Sequence, residues 1–135
     1  MALFGYQPGT VPAGNISNDL VEFSDFMPTI ASATGATPLF PTDGQTFLPQ
    51  LHGENGEPRE TVFVYYWPRP EKGEPLRFVR NKRWKLYGDG RLIDVQNDVL
   101  EKTPIVSPES NTIRRRLEAA MNRMPTEGQT LLDFD

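Results

Sequence analysis

The sequence predicts an α+β fold: a small antiparallel sheet of about four strands, with an N-terminal helix and a packed C-terminal amphipathic helix. Three observations support this. Gly88-Asp89-Gly90 separates two alternating runs, as in a β-hairpin. Helical periodicity precedes and follows the strand-like region. The 11 Gly and 13 Pro argue against a helical bundle, while Leu, Ile, Val and Phe fill 33 of 135 positions and suffice for a modest core.

The N-terminal helix is predicted from Ser24 or Asp25 to about Thr34, after a Pro- and Gly-rich loop over residues 7–18. Gly35 ends it, and Pro28 is tolerated because it falls within the first turn. Apolar side chains recur at spacings of three and four residues, so we expect one face to be buried. These side chains are Phe23, Phe26, Met27, Ile30 and Ala33.

The strands are predicted in the middle of the chain. Thr61-Val-Phe-Val-Tyr-Tyr-Trp67 has no polar face, which favours a central strand buried on both sides. Alternation and turn residues then predict a meander of Leu76–Arg80, Trp84–Tyr87 and Arg91–Val95. A single helical turn is expected earlier, around Phe47, Leu48 and Leu51.

The C-terminal helix begins where Ser107 is an N-cap candidate and Pro108 suits the first helical position. Its core face is predicted to carry Ile113, Leu117, Ala120, Met121 and Met124. We therefore divide the chain into residues 1–60, a connecting region; 61–125, an antiparallel subdomain with its helix; and 126–135, an acidic tail.

Charge is distributed unevenly. The chain has 14 basic and 18 acidic residues, a net charge of −4, yet the segment Arg69–Arg91 carries a local +5. Arg77 to Tyr87 mixes cations with aromatic residues and could grip an anion. Alternation favours a simpler interpretation, in which Trp84 and Leu86 point inward and Arg83, Lys85 and Tyr87 face solvent. The run Arg114-Arg115-Arg116 is likewise interpreted as a solvated helix face.

Residues for catalysis or metal binding are scarce. The chain has no Cys and a single histidine, His52, which we interpret as a loop residue. Asp94-Val-Gln-Asn-Asp98 offers three metal-ligand candidates but lacks the spacing and glycine of an EF-hand loop, so an Asx-rich turn is the better interpretation. We therefore predict no catalytic and no metal-binding residue in this chain.

Membrane and nucleic-acid partners are not expected. No run of about 20 apolar residues is present, and the start lacks the basic and apolar stretches of a signal peptide. The net negative charge argues against general nucleic-acid binding.

An ordered series of segments resembles the C-terminal region of a formylglycine-dependent, arylsulfatase-like sulfatase of the alkaline phosphatase superfamily. The resemblance covers about residues 3–105 and implies that residues 1–60 form the end of the large sulfatase domain and a connecting arm. The segments are Pro8–Gly14, Leu20–Thr29 with Gly35, Asp43-Gly44, Phe47–Leu51 with Gly53, Arg77–Tyr87, Arg91–Asp98 and Glu101.

The resemblance implies that the catalytic machinery lies upstream of this chain. Such sulfatases use a formylglycine made from Cys or Ser in a Cys/Ser-x-Pro/Ala-x-Arg motif, together with calcium, and neither maps onto a position here. The chain alone is expected to be inactive. Its role would be structural support and part of the substrate pocket wall, with Trp67, Arg69 and Lys72 near the mouth.

The implied partner is the missing N-terminal sulfatase domain, or a second copy of the chain if that domain is absent. A sulfate ester would bind only in the complete enzyme. Sulfatases of this family are often periplasmic, secreted or lysosomal. Related phosphonate and phosphate ester hydrolases share the architecture. The resemblance therefore does not decide which of these esters the parent enzyme hydrolyses.

Two other functions stay open at this point. The basic segment could make the chain a stand-alone, non-enzymatic module that binds anionic polymers. Alternatively, the chain could be a truncated remnant without function of its own.

Overall fold

A computed structural model of the chain describes residues 3–38, 40–69 and 73–124, with Glu109 described by its backbone alone. The described residues form two compact units that divide between Glu60 and Thr61. We call them unit 1 and unit 2. Lys72 and the predicted tail 126–135 lie outside the described residues.

Unit 1 is built around two helices. A 3-10 turn, Phe23–Asp25, leads into α1, Phe26–Thr34, which ends at Gly35 with a left-handed φ of 71°. A single turn, α2, covers Leu48–Leu51. Both helices and the glycine stop were predicted from the sequence, and the structure confirms them.

Only part of the apolar face predicted for α1 is buried, and the fully buried side chains at the start of this helix are polar. Asp25 and Thr29 are 2% and 5% exposed, whereas Phe23, Met27 and Ile30 are 78%, 46% and 61% exposed. Of the predicted apolar face, Phe26 is half-buried and meets the buried Phe47 ring edge to face, with centroids 5.6 Å apart, whereas the other large side chains stay exposed. The helix is instead anchored through hydrogen bonds on its other side.

Asp25 is the centre of that anchoring. Its Oδ1 accepts the Gln45 backbone N–H at 2.7 Å, and its Oδ2 accepts the Glu22 backbone N–H at 2.9 Å. Arg59 donates to both oxygens, with Nε 3.1 Å from Oδ2, and also pairs with Glu22 at 2.9 Å. Burial alone would raise the pKa of Asp25, but these donors hold it below the ordinary 3.8.

Thr29 extends the same network by one helical turn. Its hydroxyl donates to the Asp25 carbonyl at 2.6 Å and accepts the Phe47 backbone N–H at 3.1 Å. At Gly44, an added Cβ would lie 2.0 Å from the Ser24 carbonyl oxygen, so only glycine fits. The loop before α2 is therefore bound to α1 by polar contacts and a close backbone approach.

Unit 2 is a four-stranded antiparallel meander covered by one helix. The strands lie in the order in which they occur, and a 3-10 turn, Pro108–Ser110, precedes the helix. The α+β prediction is confirmed. The elements are β1 (Val62–Tyr66), β2 (Leu76–Arg80), β3 (Trp84–Tyr87), β4 (Leu92–Asp94) and α3 (Asn111–Met121).

The position predicted for β1 is wrong. Among the described residues β1 pairs with β2 alone, so it is an edge strand, and its side chains are half-buried or exposed. An apolar strand sequence indicates that the strand is buried to some extent. It does not indicate whether the strand has a neighbour on one side or on both.

The core of unit 2 lies between the sheet and α3. Val79, Leu86 and Leu92 occupy cross-strand paired positions and pack against Leu117 and its neighbours on α3. The amphipathic helix is thus confirmed, although it begins later than expected. Ser110 rather than Ser107 is the N-cap, because the residues from Pro108 form the 3-10 turn.

We expect Asp25→Asn to destabilise unit 1 by about 3 kcal/mol, because it leaves the buried Arg59 guanidinium short of its main partner. Both tryptophans lie in unit 2, so the measurement is amide hydrogen exchange of residues 26–34, which should accelerate in the variant. Glu54→Gln, the same charge change at an exposed position, serves as the control.

Acid provides a second measure of the same contribution. Because the folded-state pKa of Asp25 is lowered, its stabilisation is present above the unfolded pKa of 3.8 and is lost as pH falls below that value. The wild-type chain should show this loss, and Asp25→Asn should not. Equal exchange rates in the variant and the control would refute the role given to Asp25.

Candidate functional site

The loop after β1 contains the substrate-binding residues predicted from the sequence. The Trp67 indole donates to the Gly73 carbonyl oxygen at 2.8 Å and meets Tyr65 edge to face, with ring centroids 6.5 Å apart. Arg69 is exposed. Lys72 lies outside the described residues. Trp67 is therefore held in a defined position by Gly73 and Tyr65, and substrate binding by the three residues stays a prediction.

The sheet face opposite α3 contains a polar cluster that the sequence interpretation missed. Lys85 and Tyr87 both donate to the Glu101 carboxylate, Lys85 at 2.8 Å and 3.1 Å. The Lys85 side chain is only 12% exposed and lies 4.0 Å from the Phe78 ring centroid. The prediction that Lys85 and Tyr87 face solvent is therefore wrong, since Glu101 covers them.

Glu101 has an unusual backbone. It is the one non-glycine residue with positive φ, at 54°, among the residues the structure describes. Burial by itself would raise the pKa of its carboxyl, but hydrogen bonds from Lys85 and Tyr87 lower it below the ordinary value. The ion pair and the tyrosine contact thus offset a strained conformation.

Asp94 organises the turn after β4. It accepts two hydrogen bonds from Arg83, at 3.0 Å and 2.8 Å, and one from the Asn97 amide at 2.8 Å. Its carbonyl accepts the Asp98 N–H at 2.8 Å. The Arg83 hydrogen bonds hold the pKa of Asp94 below its usual value. The segment is an Asx-rich turn, as predicted.

Other arginines also serve the fold. Arg91 pairs with Asp89 at 2.7 Å within the β3–β4 hairpin. Arg114 donates to the carbonyl oxygens of Gly90 and Ile105, which corrects its interpretation as a solvated residue. Three cations of the basic segment, Arg83, Lys85 and Arg91, therefore form separate local ion pairs.

His52 lies at the end of α2, where its backbone N–H bonds the Leu48 carbonyl at 3.1 Å. Within residues 3–38, 40–69 and 73–124, no three His, Cys, Asp or Glu side chains group to hold a metal ion. In the same ranges, no helix has the length and apolar character needed to cross a bilayer.

Solved structures of sulfatase type match this fold. A 2-O GAG sulfatase aligns with a TM-score of 0.62 and 25% identity, over 73% of this chain and 23% of the other. A protein solved with its substrate D-glucosamine-2-N,6-O-disulfate aligns with a TM-score of 0.59 over 73% of this chain and 22% of its own. At 20% identity, this second match shows the fold alone.

A sequence relative gives the same result. An ulvan-active sulfatase of Formosa agariphila is 29% identical over 103 residues, which is 74% of this chain and 21% of the relative. No family model matches the chain. The chain is therefore similar to sulfatases in sequence and fold, as the resemblance predicted, and it spans about a fifth of their length.

The structure explains several residues on which the resemblance rests. Asp25, Thr29 and Gly44 belong to the anchoring network of unit 1, and Glu101 closes the polar cluster of unit 2. Sequence reasoning did not identify Arg59, the partner of Asp25. A lone arginine in a Pro- and Gly-rich arm, 34 positions from that partner, has no local signal.

We expect Glu101→Gln to destabilise unit 2 by about 1–2 kcal/mol, because Lys85 loses its carboxylate in a half-buried position. Urea unfolding followed by tryptophan fluorescence reports on this unit, since Trp67 and Trp84 both belong to it. Glu118→Gln, on the exposed side of α3, is the matched control. The same midpoint for both variants would contradict a stabilising role for the cluster.

Proposed function

We propose that this chain is the C-terminal portion of a sulfatase, a sulfuric ester hydrolase, in which it supports the large domain and forms part of the substrate pocket wall. The observation that carries the proposal is the similarity to sulfatases over about a fifth of their length. In this proposal the segment is a structural component of the larger enzyme.

The exposed face of α1 supports this proposal physically. Phe23, Met27 and Ile30 lie at i, i+4 and i+7 and form one apolar stripe. Soluble proteins rarely leave such a stripe exposed without a partner. In our account the missing N-terminal part of the sulfatase covers it, and in its absence the stripe promotes self-association.

The substrate we propose is a sulfated carbohydrate, bound only in the complete enzyme. The similar proteins named above act on ulvan and on sulfated GAG units, according to their names. In our proposal Arg69 and Lys72 attract the anionic substrate and Trp67 provides an apolar contact. The guanidinium fork of Arg69 suits the oxygens of a sulfate group.

Calcium and formylglycine belong, in this proposal, to the upstream part of the enzyme. No described group of acidic or histidine side chains in this chain fits a metal ion. We therefore assign no step of sulfate ester hydrolysis to these residues. Their contribution is to hold the fold and to position the loop after β1.

In the complete enzyme, Arg69→Ala should raise KM for the sulfated substrate about tenfold, the equivalent of one charge-assisted hydrogen bond, while kcat changes little. Arg115→Ala, an exposed arginine on α3, is the matched control and should leave KM unchanged. Steady-state kinetics give both constants. An unchanged KM in Arg69→Ala would remove this residue from the pocket.

In the isolated chain, the double substitution Phe23→Ser with Ile30→Ser should reduce self-association, because it interrupts the apolar stripe. Sedimentation velocity over a range of concentrations measures the effect. Val106→Ser, at an exposed apolar residue of unit 2, is the control and should not change it. A wild-type chain that is monomeric and binds no hydrophobic dye would show that the stripe needs no partner.

A further inference from the structure

A short exposed segment of unit 1 joins the end of α2 to Arg59. Glu54 precedes it, and the backbone N–H of Glu54 donates to the Pro49 carbonyl oxygen at 2.9 Å. Arg59 follows it and is held by Asp25. Between these two anchors, residues 55–58 are exposed and belong to no helix or strand. The segment is therefore fixed at both ends and open to water in between.

Asn55 and Gly56 form the first peptide bond of this segment. Neither the Asn55 side-chain amide nor the Gly56 backbone N–H makes a hydrogen bond to any residue that the structure describes. Because no such bond has to break, the two groups can change their relative orientation at little cost in free energy. The side chain of Asn55 and the backbone nitrogen of Gly56 are thus free to approach each other.

An asparagine followed by glycine is reactive by its chemistry. The backbone nitrogen of Gly56 can attack the side-chain carbonyl carbon of Asn55, which closes a five-membered succinimide ring. The bond to the side-chain nitrogen breaks, and that nitrogen leaves as ammonia with the backbone N–H proton. Water then opens the ring at either carbonyl and leaves aspartate or isoaspartate. Glycine favours ring closure because it has no Cβ to obstruct the approach and adopts backbone conformations that other residues avoid.

We propose that Asn55 is a site of spontaneous deamidation, which converts Asn55-Gly56 into an isoaspartyl or aspartyl linkage. The reaction requires only water. Each event places a new carboxylate between Glu54 and Glu57 and makes the net charge of the chain one unit more negative than −4. The inference goes beyond the proposed function, because it concerns a modification of the chain and holds whether or not the chain is part of a sulfatase.

The other asparagines lack this combination of features. The chain has seven, and Asn55 alone precedes a glycine. The Asn81 side chain accepts two backbone N–H groups, at 2.9 Å and 2.7 Å, and the Asn97 amide donates to Asp94 at 2.8 Å. These two side chains are therefore held by the turns that they stabilise, and each is followed by a residue whose Cβ obstructs ring closure.

Two aspartates also precede glycine and can form the same ring, but the fold restrains both pairs. In Asp43-Gly44, the glycine lies so close to the Ser24 carbonyl that an added Cβ would be 2.0 Å from its oxygen. In Asp89-Gly90, the aspartate accepts from the backbone N–H and the Nε of Arg91, at 3.0 Å and 2.7 Å. Asn55 has no comparable contact among the described residues.

The test incubates the folded 135-residue chain in mildly alkaline buffer at physiological temperature. Fragmentation mass spectrometry locates the gain of about one dalton, and methylation by a protein isoaspartyl methyltransferase measures isoaspartate. Asn55 should be the main site of both signals. Asn55→Gln should abolish them, because glutamine would have to form a six-membered ring, which closes much more slowly. Asn18→Gln, the same change at an exposed asparagine that precedes Asp19, is the matched control and should leave both signals as in the wild type.

A sample denatured in guanidinium chloride separates the role of the fold from that of the dipeptide. Because no hydrogen bond to a described residue restrains Asn55, its deamidation rates in the folded and denatured chains should agree within a few-fold. Unchanged circular dichroism of both variants confirms that they fold. Strong suppression of the reaction in the folded chain, a main site other than Asn55, or isoaspartate that persists in Asn55→Gln would each overturn the proposal.

Discussion

The carboxylate of Asp25 is the point on which unit 1 depends. It is almost fully buried, and its two oxygens accept from the backbone N–H groups of Glu22 and Gln45 and from Arg59. A buried carboxylate loses its hydration, and here the loss is offset because both oxygens accept hydrogen bonds from these donors. The polar side of α1 is consequently turned toward the rest of unit 1, and the apolar stripe is turned outward. The network that stabilises this unit therefore lies on the side of α1 opposite the exposed apolar stripe.

Unit 2 follows a different principle. One face of its sheet packs apolar side chains against α3, and the other face carries cations that Glu101 and other local acids neutralise. A segment with a local charge of +5 thus contributes several ion pairs to the fold itself. Arg69, in the loop after β1, is exposed and is the cation to which the proposed function assigns a role in attracting the substrate.

Much of the fold was predictable, because local patterns determined it. Alternation and the turn Gly88-Asp89-Gly90 located β2 and β3 to the residue, and three- and four-residue spacing located α1 and α3. Contacts between distant positions were not predictable. Which segments meet in space has no local signal in a single sequence. Three features depend on such meetings: the Asp25–Arg59 pair, the covering of Lys85 by Glu101 and the edge position of β1. The sequence predicted a loop that contains Trp67 and Arg69. It did not predict that the Gly73 carbonyl oxygen accepts a hydrogen bond from Trp67 and holds it in place.

The central claim, that this chain is part of a sulfatase, is tested most directly by the DNA sequence upstream of the Met1 codon in the same reading frame. Our account predicts an open frame that encodes the roughly four-fifths of a sulfatase lying outside the match. That frame should contain a Cys/Ser-x-Pro/Ala-x-Arg motif and acidic residues suited to calcium. An in-frame stop codon preceded by unrelated sequence would contradict the account.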